Sequence, residues 1–227
     1  KNPLTPIQLN TQRLKKKFSE DKDNFNKIFE ESIDIISQEV ESMKDLINEF
    51  LRFARMPPPS LKINSLHKII DSVYTLYKNN KKNIVIKKNY DPNVTNVTVD
   101  AEQIRRVFIN LFENSIDALK DEGEIEISTK FNFSTNKILI KFSDNGTGIP
   151  STDRDMLFQP HFTTKKRGTG IGLAIVNRIV VDHGGTISVK NNQPRGTTFE
   201  IQIPPIPVSI DVEPISFSSE KKVFLPF

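Results

Sequence analysis

The chain has 227 residues, 36% hydrophobic and 26% charged, with a formal net charge of +4, which suits a soluble globular protein of one large domain or a domain with an appendage. It has no cysteine, which excludes disulfides and cysteine-based zinc sites. No apolar run approaches the ~20 residues that a membrane-spanning helix needs, and the dispersed lysines form no concentrated patch for nucleic acid. No signal peptide opens the chain, and its first residue is Lys1, so we expect a fragment of something longer.

The first predicted element is a helix over 3–18. Leu4, Ile7, Leu14 and Phe18 follow steps of 3 and 4, with the polar Thr11 in the remaining slot, the rhythm of a helix-packing seam. Pro3 and Pro6 fit only a helix start, where an N–H has no partner to lose. Polar residues 19–23 read as a connection. A second seam, Ile33, Ile36, Val40, Met43, Ile47, Phe50 and Ala54, predicts a helix over about 23–55. Two helices with one narrow seam each do not enclose a core, so the expectation is a dimer in which two hairpins make a four-helix bundle; the alternative is an intramolecular hairpin packed on the rest of the chain. Pro57, Pro58 and Pro59 end the second helix and read as a stiff linker over 57–60.

A second domain is expected over 61–204. Residues 67–77 read as a helix, 84–86 and 94–99 as strands. Asp100 is placed to cap a helix running through Lys120, with Gly123 beyond its end. Residues 124–131 and 137–142 alternate as strands around a turn at 134–136. A helix over 171–183 closes at Gly184 and Gly185, and strands follow at 186–190 and 198–203. The fold class is therefore α+β: a helical hairpin, then a two-layer α/β sandwich. The tail 205–227 carries no clear period.

Four stretches carry chemistry. RVFINLFENSIDAL (106–119) puts Asn110, Glu113, Asn114 and Asp117 on one helix face; carboxamide oxygens there are suitable hard ligands for Mg2+. DNGTGIP (144–150) follows a strand directly, so Asp144 sits at a strand end, able to accept a proton from an amino group. FTTKKRGTGIGLAIV (162–176) has glycines at every second position before a helix, an arrangement that exposes N–H groups to phosphate. It is neither a Rossmann fingerprint nor a Walker loop, because no strand precedes it and no Gly-Lys-Ser/Thr closes it. GTTF (196–199) turns into the last strand.

In this order and spacing the four stretches resemble the N, G1, G2 and G3 boxes of the histidine-kinase ATP-binding domain, and LFQPHF (157–162) resembles its F box. KNPLTP (1–6) and FARMP (53–57) resemble the NtrY-type nitrogen-regulation sensor kinases. The resemblance implies the Bergerat (GHKL) fold, shared with gyrase, Hsp90 and MutL, with ATP and Mg2+ as ligands. It implies that Asp144 accepts from the adenine amino group with Thr197 beside it, within the turn marked by Gly146 and Gly148. Asn114 would ligate Mg2+, supported by Asn110, with Glu113 and Asp117 beside the metal and phosphates. Gly168, Gly170 and Gly172 would let a lid close, and the amides near Leu173 would bind the triphosphate. Lys165 or Arg167 would add charge at the outer phosphates, and Phe158 and Phe162 would pack the lid down.

Two departures matter. ATP-hydrolysing relatives carry a glutamate four residues before the metal-binding asparagine; this chain has Asn110 there, so the site reads as a phosphoryl donor and not a hydrolase, which also argues against a gyrase- or MutL-like ATPase on DNA. The family's acceptor motif is H-E-x-x-N-P, of which Lys1, Asn2 and Pro3 match only the end, so autophosphorylation of this chain is not expected. His67, His161 and His183 read as structural residues. In relatives the Asn of that motif orients the water that dephosphorylates the partner, a role open to Asn2. A non-catalytic ATP-binding and dimerisation module is the alternative. The implied partners are a second copy through the hairpin and an NtrX-like response regulator, with no nucleic acid. The implied location is cytoplasmic, on the cytoplasmic face of the inner membrane for a full-length protein anchored by upstream segments.

Overall fold

The structure is a computed structural model that describes residues 3–20, 25–78, 83–165 and 168–206. Asn2, Arg167, residues 21–24 and the tail from 207 onward lie outside the described residues. Helices α1 (Leu4–Glu20) and α2 (Phe25–Ala54) pack as the expected hairpin, and α1 continues over Ser19 and Glu20, where a connection was expected. Among the described residues of the hairpin only Ser32 is fully buried, whereas Val40 and Ile47 are about half exposed, at 51% and 52%. The seam of α2 thus has no core of its own to cover it, as its narrowness requires. Beside the seam near the end of α2, Leu46 and Phe53 pack against the core of the following domain, as does Met56 just past the helix.

That domain is a five-stranded sheet under three helices. The strands are β2 (Asn83–Tyr90), β4 (Glu122–Asn132), β5 (Lys137–Asp144), β6 (Thr186–Asn191) and β7 (Thr197–Ile203), in the order β2-β4-β5-β7-β6. β2 and β4 are parallel and every other pair is antiparallel. A small separate sheet pairs β1 (Lys62–Ser65) with β3 (Asn96–Val99). The helices are α3 (Leu66–Tyr77), α4 (Ala101–Leu119) and α5 (Gly172–Asp182).

Period-2 alternation decides which sheet face is covered. Ile125 and Ile127 on β4, Ile138, Ile140 and Phe142 on β5, and Phe199, Ile201 and Ile203 on β7 are all buried. Their registers match, with Phe142 opposite Ile127 on one side and Phe199 on the other. The opposite face carries ions: Glu200 meets Lys190 at 2.6 Å and Lys141 at 3.2 Å. Into the apolar face α4 inserts Ile104, Val107, Phe108, Leu111 and Phe112. Phe112 stacks on Tyr77 of α3 at 4.9 Å and meets Phe142 edge-on at 5.0 Å, and each ring so buried stabilises the fold by roughly 1.5–3 kcal/mol.

Asp100 caps α4 as expected, its Oδ1 accepting from the N–H groups of Glu102 and Gln103 at 3.0 Å. Its Oδ2 accepts from Ser60 N–H at 2.9 Å, and Gln103 Nε2 donates to Pro57 O at 3.1 Å, so the proline linker is tied to the start of α4. The Asp100 N–H in turn donates to Nε2 of buried His183, whose Nδ1 lies 2.7 Å from Ile179 O. His183 is therefore a structural pin between α4 and α5. α4 ends at Leu119 with Lys120 at φ 60°, and Gly123 lies beyond that end, inside β4. Past β7, the Pro205 carbonyl accepts from Thr98 N–H at 2.9 Å.

Candidate functional site

The alternation that buries Ile138, Ile140 and Phe142 continues one step further, to Asp144 at the end of β5. A carboxylate therefore stands on the core face of the sheet, only 3% exposed. Thr197, the first residue of β7, continues the buried stripe of its own strand in the same way. Such a carboxylate requires donors, and it has three. Ser115 Oγ of α4 donates to Oδ2 at 2.8 Å, and the N–H groups of Gly146 and Thr197 donate to Oδ1 at 2.9 and 3.2 Å. An ionised carboxylate offers about four acceptor directions, so one remains, on a residue that lines an open cleft. Burial pushes the Asp144 carboxyl above the usual aspartate range, against the pull of these three donors. Gly196 makes the close approach of β7 possible: at φ +109° its Cβ would overlap the Asp144 carbonyl oxygen.

The cleft has a volume of about 580 Å3, within the range of roughly 300–1,000 Å3 of small-molecule sites. One wall is the polar face of α4, where Asn110, Glu113, Asn114 and Asp117 are all in line, as their spacing predicts. Asn110 is held by a bond from its Nδ2 to Arg106 O at 2.8 Å. Partial desolvation in the cleft raises the Glu113 carboxyl above its ordinary range; Asp117 adds to the shift, Lys165 opposes it, and Glu49 of α2 adds again.

The segment between β5 and α5 forms the other wall. A single 3-10 turn (Ser151–Met156) leads to Leu157, and from there Phe162, Lys165, Gly168, Gly170 and Gly172 line the cleft. Gly170 adopts φ +71°, and a Cβ on it would lie 2.6 Å from the His161 carbonyl carbon. No side chain caps the N-terminus of α5. The leading residues Gly172 and Leu173 line the cleft, so the positive end of the α5 dipole faces it. Lys165 reaches across: its Nζ lies 2.8 Å from Asn114 Oδ1 and 2.7 Å from Asp117 Oδ2. An ammonium thus sits between two oxygens of the kind a hard divalent cation takes. α2 closes one corner with Glu49, and its Phe50 stacks on His161 at 5.8 Å.

Of the residues singled out from sequence, Asn110, Glu113, Asn114, Asp117, Asp144, Gly148, Phe162, Lys165, Gly168, Gly170, Gly172, Leu173 and Thr197 line this one cleft. Gly146 stands behind it, bonded to Asp144, and Phe158 packs toward the core and outside the cleft wall. Ser115 escaped the sequence reading although it carried a signal: it is a polar residue in the buried stripe of Leu111, Phe112 and Leu119. Glu49 and Phe50 carried none, since only tertiary packing brings them to the cleft.

Two family models match the chain. The "His Kinase A (phospho-acceptor) domain" covers residues 1–59, and the "Histidine kinase-, DNA gyrase B-, and HSP90-like ATPase" covers 99–207. The chain is 34% identical over 203 residues to the nitrogen regulation protein NtrY of Azorhizobium caulinodans, across 86% of this chain and 26% of that protein. It is 31% identical over 207 residues to sporulation kinase C of Bacillus subtilis, across 90% and 46%. It thus spans between about a quarter and a half of the length of these curated relatives. Among solved structures, the catalytic domain of the histidine kinase ThkA superposes with a TM-score of 0.60 at 33% identity, covering 65% of this chain and 97% of that one. ThkA in complex with the response regulator TrrA gives a TM-score of 0.67 at 28% identity, covering 91% and 58%.

Proposed function

The chain belongs to the sensor histidine kinases, and from that premise we propose that residues 61–204 bind Mg-ATP and present its γ-phosphate to a histidine on a dimeric helical hairpin, which passes it to a response-regulator aspartate. The observation that carries this reading is Asp144, a buried carboxylate with three protein donors and one acceptor direction left at a cleft. That direction suits the exocyclic amino group of adenine.

Each wall has its task. Thr197 flanks Asp144 at the purine end. The free N–H groups that open α5 hold the phosphates, where a helix N-terminus favours negative charge. Asn114 and Asp117 hold Mg2+, supported by Asn110; the fit is supported by the cation they already accept, the Lys165 ammonium. Held by these residues, Mg2+ would supply neutralising charge at the transferring phosphoryl group. Glu113, which lines the cleft and whose carboxyl partial desolvation raises above its ordinary range, takes the proton of the attacking imidazole as general base. Phe162 and the glycines of the lid cover the phosphates and exclude water. Asn110 is a carboxamide with no proton-accepting character, so nothing at its position activates water for hydrolysis. The transfer itself needs positioning more than covalent help.

All three histidines of this chain are held in the ATP-binding domain. His183 is bonded through both nitrogens. His67 stacks on Tyr90 at 4.2 Å with Nε2 2.9 Å from Thr129 Oγ1. His161 lies in the lid against Phe50. The 227-residue chain therefore does not label itself. The exposed α2 seam supports a homodimer, and the likeness to NtrY supports an NtrX-like regulator as the partner. No described helix is long and apolar enough to cross a membrane; we place this segment on the cytoplasmic side of a longer, membrane-anchored protein.

The test is to extend the chain upstream so that a histidine stands three residues before Lys1, and to supply ATP labelled at the γ-phosphate. Acid-labile label should appear on the extended chain and not on the 227-residue chain. An extended chain that binds ATP but never takes up label is a non-catalytic binding module instead.

A further inference from the structure

The contact between Lys165 and the α4 face has a consequence beyond holding nucleotide. Lys165 Nζ bonds Asn114 Oδ1 at 2.8 Å and Asp117 Oδ2 at 2.7 Å. These are the two oxygens assigned to the divalent cation, so the inference rests on that reading. The ammonium and the metal occupy one place and exclude each other. We propose that Lys165 is an intramolecular latch: in the nucleotide-free protein its ammonium substitutes for the metal, ties the lid to α4, and must be displaced before Mg2+ enters.

Three observations support a latch in place of a chance surface pair. The lysine spans the cleft, joining residues 51 and 48 positions apart in the chain. Its backbone is held in position, since Lys165 N–H donates to Thr163 Oγ1 at 3.1 Å. The charge it meets is concentrated: Glu113 and Glu49 line the same cleft beside Asp117, so with no cation in place this corner is strongly acidic and lies directly below the lysine. Electrostatics alone then makes the exchange directional. A dication outcompetes an ammonium for a carboxylate and a carboxamide oxygen, and the phosphates arriving with it offer the displaced ammonium a new partner. One side chain thus serves both states, over α4 when the cleft is empty and against the outer phosphates when it is filled. The exchange thereby couples Mg2+ entry to a change in what Lys165 holds.

The pair is partly exposed, at 40% for Lys165 and 59% for Asp117, so the latch is weak by design; exposed pairs contribute up to about a five-fold factor in an equilibrium. The test compares wild type with Lys165→Met, and Lys165→Arg as a variant that keeps the cation. Hydrogen exchange over residues 157–165 of the nucleotide-free protein should quicken in Lys165→Met by about three- to five-fold and stay near wild type in Lys165→Arg. Binding of ADP, which lacks the γ-phosphate that Lys165 would otherwise contact, is then titrated with Mg2+. The Mg2+ midpoint should fall by about three- to five-fold in Lys165→Met. Unchanged exchange, or an unchanged Mg2+ midpoint with ADP still bound, overturns the latch and leaves the nucleotide site standing. If neither protein binds ADP at any Mg2+ concentration, the nucleotide site and the latch fail together.

Discussion

Asp144 owes its role to its position in an alternating strand. The series Ile138, Ile140, Phe142 and Asp144 ends an apolar stripe in a carboxylate, and burial holds its carboxyl above the ordinary aspartate range. The proposed adenine contact requires the ionised form as acceptor. Nucleotide affinity should therefore weaken as pH falls through this raised pKa, at a higher pH than an unperturbed aspartate would give, and a plot of Kd against pH checks it. Stability has the opposite sign. Between the ordinary and the raised value the folded protein binds more protons at Asp144 than the unfolded chain does. The contribution of Asp144 to stability is therefore greatest below the ordinary value and is lost as pH rises through the raised one. At Glu113, substitution by Gln keeps the shape and removes the base. Phosphoryl transfer in a histidine-containing extended chain should slow by about 100-fold or more with ATP affinity little changed; a parallel loss of affinity would assign Glu113 to binding and not to proton transfer.

At the level of elements, the sequence was most legible where a strong period coincided with a cap or turn residue. α4 was visible from Asp100 onward because cap, apolar stripe and polar face agree. The turn at 134–136 was visible because Asn132 accepts from Ser134 and Thr135 N–H groups and Asn136 turns at φ 49°. β2 was read only over 84–86, three of its eight residues. It is an edge strand whose lysines find tertiary partners, Lys87 with Glu124 at 2.7 Å and Lys88 with Asp71 at 2.6 Å, and no local pattern announces such partners. β1 was missed for a related reason: four residues that pair only with β3 and leave Ile63 76% exposed show no apolar face. The helix was read through Lys120 with Gly123 beyond its end, but that Lys120 itself takes the left-handed φ was not legible, because glycine is the usual residue there. The cap at Asp100 makes its own prediction. Asp100→Ala removes an N-cap and the acceptor for Ser60 N–H, so it should lower unfolding free energy by about 1–2 kcal/mol. Denaturant unfolding measures this, and an unchanged midpoint would remove the linker tie from the account.

The whole molecule joins a helical hairpin that has an uncovered seam to a domain that holds a cleft. The seam residues Ile33, Val40 and Ile47 stand at seven-residue intervals and remain 39–52% exposed. A charge there should break a dimer without touching the cleft. Ile47→Glu should shift light-scattering mass from two chains to one, and a dimer that survives it would locate the interface elsewhere. The approach of hairpin to cleft was invisible in the sequence because it brings Phe50 against His161 across more than a hundred residues and puts Glu49 in the same cleft as Glu113, about sixty residues away, with no period to link them. The individual motifs were legible from sequence, whereas their convergence depends on the fold. That convergence is the central claim: Asp144 reads the purine in the same cleft where Asn114 and Asp117 take the cation. Calorimetric titration of Mg-ATP into Asp144→Asn tests it most directly. The amide keeps the shape, its oxygen still accepts from Gly146 and Thr197, and Ser115 can turn to accept from the new NH2. The account predicts at least tenfold weaker binding, about 1.4 kcal/mol, with an unchanged melting temperature; wild-type affinity in this variant would contradict it.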